Sequence, residues 1–158
     1  MATYNVTGYS SGVSRSLPWQ GANYPFVLSH KVDFANDFST SADNTDVIQV
    51  LPVSAGWGVM YTVLQVVTAC AGADTITCNV GITGDDPDGF DASVDLTSTG
   101  YNVSAVGTDA DVIGSPQFFT SDDTIDIVLT VSGGDGGPIS SGVIVLSALV
   151  IDHSMTDI

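Results

Sequence analysis

The sequence predicts an all-β protein: one antiparallel β-sandwich domain preceded by an extended arm. Three observations carry that expectation. The first is composition. The 158 residues hold eighteen acidic side chains, all of them Asp, and only Arg15 and Lys31 as bases. Glu, Lys and Arg, which favour helices, are absent or nearly so, and Val, Thr, Ser, Gly and Asp fill their places. Val and Thr are stiff at χ1 and pack well on a pleated sheet, whereas Ser and Asp draw the backbone into local hydrogen bonds that compete with a helix. The second observation is alternation of apolar and polar residues in two segments, 75–82 and 124–131. The third is punctuation: 17 Gly and 6 Pro break the chain into short runs, as the turns of a sandwich require.

The elements follow in order. Residues 3–7 are a possible short strand. Residues 8–26 show neither period 2 nor period 3.6, and hold Arg15, Pro18, Trp19, Tyr24 and Phe26 in a polar setting. A segment of that kind reads as an arm, 1–29, anchored to a surface by its aromatics. The domain proper is expected over 30–158. A first strand is expected at 30–34 and a loop at 35–45. Strands follow at 46–53 and, longer, at 58–69. In 75–82, Ile76, Cys78, Val80 and Ile82 face one side, and Thr75, Thr77 and Asn79 the other. Residues 85–91, with Asp-Pro-Asp-Gly, are expected as a loop. Weaker strands are expected near 94–96, 101–106 and 117–120. In 124–131, Ile125, Ile127, Leu129 and Val131 point inward. A glycine turn at 133–137 precedes the closing strand, 142–152. Long central connections fit a jelly roll, two sheets joined by crossing connections, better than an up-and-down barrel.

Two strands break the half-buried pattern. In the closing strand Val143, Val145, Leu149 and Ile151 lie on one face, and Ile144, Leu146, Ala148 and Val150 on the other. The strand at 58–69 is likewise apolar on both faces. Such strands need cover on both sides. The cover is either the arm or a long loop, or another copy of the chain. Val143, Val145, Leu149 and Ile151 are the candidate oligomer interface.

Composition also bounds function. With a formal net charge of −16 and two basic side chains, the chain cannot neutralise a phosphate backbone, so no nucleic-acid partner is expected. The same charge opposes docking on anionic lipid. The longest apolar stretch, 143–151, is about half a membrane-spanning helix, and the N-terminus carries no basic, apolar leader; neither membrane nor signal peptide is expected. A chain of this length buries roughly 68–70 % of its unfolded surface, so it needs neither disulfide nor metal to fold. Cys70 and Cys78 flank a short turn and are read as two free, buried thiols rather than a redox pair or half a metal site.

Catalytic groups are scarce: two His, one Lys, one Arg and no Glu. Asp152-His153-Ser154 holds the letters of a triad, but neighbours on a strand point to opposite faces and cannot form the linear relay. The four carboxylates of 85–91 have two readings, a Ca²⁺ loop or an Asx-type turn satisfied by its own backbone, and the spacing is not that of an EF-hand. His30 and His153 have no partner at ligand spacing. The expectation is therefore no enzyme, no cofactor, and no assigned catalytic, cofactor-binding or metal residue.

The run DVIQVLPVSAGWGVMYTVLQVVTACAGADTITCNVGITGDDPDGFDASVDL, with the strands at 123–126 and 143–152, resembles small virion proteins of tailed bacteriophages, especially marine ones. The shared texture covers about 46–153: a strand ending near Pro52, a Gly-bearing turn, a long apolar strand, a Thr-Ala turn, and Val-Gly before a Pro-Asp-Gly-Phe loop. The resemblance implies a structural protein that decorates or cements the capsid exterior, in contact with the major capsid protein and assembled as a homotrimer. A receptor- or glycan-binding head or tail fibre module is the alternative. An Asp-rich surface suits the outside of a shell, since it would repel packaged DNA. Arg and Trp are enriched at binding hot spots, so Arg15, Pro18, Trp19, Tyr24 and Phe26 are the candidate capsid contacts.

Overall fold

The structure, a computed structural model, describes residues 3–5, 25–38, 42–104, 117–133 and 138–153. Ten strands run β1 (Thr3–Asn5), β2 (Phe26–Asp33), β3 (Val47–Val53), β4 (Trp57–Ala71), β5 (Thr75–Ile82), β6 (Asp86–Asp95), β7 (Gly100–Val103), β8 (Gln117–Phe118), β9 (Asp123–Ser132) and β10 (Ser141–Asp152). No helix occurs among the described residues. The strands form two sheets, the first ordered β1-β3-β9-β5-β6, the second β2-β10-β4-β7 with β8 also on β4. Every pairing is antiparallel except that of β1 with β3. Successive strands from β2 to β5 alternate between the sheets, β5 and β6 pair within the first, and β6 to β7 and β9 to β10 cross again. The connections thus pass repeatedly between the two sheets of a β-sandwich.

The core lies between the sheets. β5 sends Ile76, Cys78, Val80 and Ile82 inward, and β9 sends Ile125, Ile127, Leu129 and Val131, all buried as the alternation requires. They meet Val32 of β2, Leu64 and Val66 of β4, and Ile144, Leu146 and Ala148 of β10. The strand expected at 30–34 runs instead over Phe26–Asp33, because β2 continues along β10 as far as Phe26↔Val150.

One expectation needs correction. Residues 85–91 are not a loop. The turn is one step earlier, at Thr83-Gly84, where Asp85 N–H donates to the Ile82 carbonyl (3.2 Å) and Gly84 takes φ +95°. Pro87 and Gly89 lie within β6. An edge strand tolerates a proline because one side of it has no ladder to supply, and the register shifts against β5 absorb the misfit. The short turn between Cys70 and Cys78 joins two sheets. β4 belongs to the second sheet and β5 to the first, so it is a crossing. Gly72 makes it possible: its φ is +127°, and a Cβ there would collide with the backbone of 138–140.

Candidate interaction surface

The two sheets differ on their outward faces. On the first sheet β5 shows Thr75, Thr77 and Asn79, and β9 shows Thr124, Val128, Thr130 and Ser132, so that face is mostly polar. On the second sheet the outward positions are mostly apolar. Pairing registers arrange them in rows across the strands. One row is Val27 (β2), Leu149 (β10) and Tyr61 (β4). The next is Ser29, Ser147, Val63 and Val103, the last on β7. A third is Lys31, Val145, Gln65 and Tyr101. Phe118 joins at the end, opposite Gly58 and level with Ile151.

Exposure follows this geometry. Tyr101 is 70 % exposed, Val27 65 % and Val103 60 %, and Phe118, Val67 and Tyr61 are exposed as well. Val143, Val145, Leu149 and Ile151, the expected interface, are half-buried on this same outward face. Their neighbours Ile144, Leu146, Ala148 and Val150 are the core set. Gly58 leaves room for the Phe118 ring, which a Cβ at that position would meet at 2.8 Å. The ring packs edge-on against His153, centroids 5.1 Å apart.

The polar groups of the face are paired laterally. Ser29 and Ser147 hydroxyls lie 2.9 Å apart, and Gln65 Nε2 donates to the Tyr101 hydroxyl at 3.0 Å. Lys31 Nζ lies 3.7 Å from Asp33, whose carboxyl is held below the usual Asp value, chiefly by a hydrogen bond from Asn36. Asp33 is the one carboxylate at these outward positions among the described residues, in a chain with eighteen. The edge strand β7 is pinned by Ser104: Thr62 N–H donates to Ser104 Oγ at 2.7 Å, and Ser104 N–H donates to the Thr62 carbonyl at 3.0 Å.

The other candidates fall elsewhere. Arg15, Pro18, Trp19 and Tyr24 lie outside the described residues. Phe26 turns to the core side, its ring edge-on to Trp57 at 5.0 Å. Cys70 and Cys78 are free and buried, on different sheets. Burial pushes the Cys70 thiol up to about 12, and pushes Cys78 up further, with the Asp91 charge adding to it. Both are protonated and inert at neutral pH. Asp86 is raised by desolvation and by its neighbour Asp88. No group of three or more His, Cys or Asp is placed to hold a metal ion among the described residues. Ser154 lies outside them. Sequence reasoning found the β10 stripe but missed Val27, Val103 and Phe118. Val103 and Phe118 sit on strands of four and two residues, too short for alternation to say which side faces the core, and Val27 lies in the segment read as the arm.

No family model matches the sequence, and no curated protein matches it. Solved structures do match. A chain of the capsid of Ralstonia phage GP4 superposes with a TM-score of 0.62 at 16 % identity, over 96 % of this chain and 98 % of that one. A chain of the cyanophage Pam1 capsid asymmetric unit gives 0.58 at 16 % identity, over 91 % and 96 %. A chain of the acidic stable capsid structure of Helicobacter pylori bacteriophage KHP30 gives 0.54 at 17 %, over 82 % and 89 %. What this chain shares with them is the fold, matched over 82–96 % of its length.

Proposed function

We propose that the chain is a non-enzymatic virion structural protein that decorates or cements the exterior of a tailed-phage capsid. The observation that carries this reading is the fold likeness to three phage capsid chains, end to end rather than over a fragment. The sequence resemblance supports it independently. The non-enzymatic part rests on composition, with two His, one Lys, one Arg and no Glu to build a site from. The exterior placement rests on the net charge of −16, which is repelled by packaged DNA.

In this reading the partner is the major capsid protein, and the chain assembles as a homotrimer. Arg15, Pro18, Trp19 and Tyr24 of the arm make the shell contact, while Phe26 anchors the arm's end to the domain through Trp57. The test is copy number in purified virions by quantitative mass spectrometry. Hundreds of copies per particle support decoration. A few to a few dozen would replace it with the fibre module.

A further inference from the structure

We propose that the outward face of the second sheet is where copies of this chain meet, with the β2 edge of one copy against the β7 edge of the next, so that Lys31 approaches the partner's Tyr101. The inference rests on the homotrimer proposed above and not on the capsid role.

The choice of occupant follows from charge. A chain with a net charge of −16 repels its own copies wherever carboxylates are exposed. This face is the exception, since among the described residues its outward positions hold Asp33 alone, with Lys31 beside it. A basic partner would be drawn to carboxylates, which this face does not supply. The partner that fits is itself uncharged, apolar and able to receive one cation. A second copy of the same face has those properties.

The orientation follows from the register. Lys31 and Tyr101 end the same row, on opposite edges of the sheet, with Val145 and Gln65 between them. Lys31 is 61 % exposed and Tyr101 70 %. When three such faces turn toward an axis parallel to the strands, each row closes on itself at one height. The ammonium of one copy then meets the phenol ring of the next, a favourable cation–π pairing. In the neighbouring row Ser29 comes to Val103. The contact joins two different edges, which is the head-to-tail relation that a closed ring of three requires. The ring also covers Val27, Tyr61 and Val103, an apolar array that monomers rarely leave in water.

The test is a cysteine pair, Lys31→Cys with Tyr101→Cys. Both positions are exposed, so the variant folds as the parent does, which circular dichroism checks. The native thiols are buried and do not compete. After mild oxidation and alkylation, the double variant should give a covalent ladder ending at three chains on a non-reducing gel, and neither single variant should. Tyr101→Lys should raise the dissociation concentration about tenfold or more, since it removes the ring and sets a second ammonium against the partner's Lys31. A trimer by light scattering that neither cross-links nor responds to Tyr101→Lys would overturn this interface and leave the homotrimer standing. A monomeric parent chain would overturn both.

Discussion

Ile144 and Val145 are neighbours on β10, yet the sandwich assigns them opposite tasks. Ile144 is fully buried between the sheets, in register with Val32 of β2 and Val66 of β4. Val145 faces outward and is half-buried. Ile144→Ala removes three carbons from a closed core, and such truncations cost about 2–5 kcal/mol, transfer and cavity together. A domain of this size is stable by only about 5–15 kcal/mol. At roughly 2–4 °C per kcal/mol, the melting midpoint should fall by about 10 °C. Val145→Ala removes less. Full burial of a valine is worth about 1.5–3 kcal/mol, the site is half-buried, and Ala keeps one carbon, so the protomer loses less than about 1 kcal/mol. Differential scanning calorimetry at two protein concentrations separates the cases. Ile144→Ala should lower the midpoint equally at both. Val145→Asp should leave the dilute midpoint within a few degrees of the parent's and abolish its rise with concentration, because the charge acts on a face shared between copies. If Val145→Asp unfolds the dilute protein as Ile144→Ala does, the assignment of faces is wrong.

Three further outcomes follow. Asp126 is buried on the outer side of the first sheet, held by the Thr83 N–H at 3.3 Å and the Thr124 hydroxyl at 2.6 Å, and desolvation raises its pKa above the ordinary 3.8. A raised native pKa means that the folded state holds its proton more tightly. That contribution is complete below the usual Asp range and is lost as pH rises through the raised native value. Thermal stability should therefore increase on acidification from neutrality toward that value, and Asp126→Asn should be the more stable at pH 7 with a flatter profile; a parent that loses stability from pH 7 to 5 contradicts this. Gly72→Ala should destabilise by well over the roughly 1 kcal/mol of a simple Gly-to-Ala change, because φ +127° and the 138–140 backbone both exclude a Cβ; an unchanged urea midpoint would show that the crossing is not so tight. Cys70 and Cys78 should resist iodoacetamide in the native protein and both react without reductant in denaturant, as mass spectrometry would show; a chain that stays unmodified in denaturant holds a disulfide.

Local chemistry made much of this legible in the sequence. A strand with one wet face must alternate, so 75–82 and 124–131 could be placed, faces included, and the structure puts strands at Thr75–Ile82 and Asp123–Ser132. Absent Glu and scarce Lys removed helix from consideration. Apolar residues on both sides of 143–151 also showed that the outer side of one sheet would be apolar. What the sequence could not decide was which side that was. Val143, Val145, Leu149 and Ile151 are chemically interchangeable with Ile144, Leu146, Ala148 and Val150, and only packing against the opposite sheet separates them. The same holds for Val27, Tyr101, Val103 and Phe118. They come from three strands distant in the chain, and join one face through pairings with β10 and β4 that no short-range pattern encodes. Sheet membership is a long-range property too. The connection after Cys70 has the length of a hairpin, and a Gly at φ +127° sends it across the sandwich instead. Local sequence determined strands and their periodicity because these depend on neighbours a few residues away. Tertiary structure alone determined which faces meet, because that depends on contacts between segments far apart in the chain.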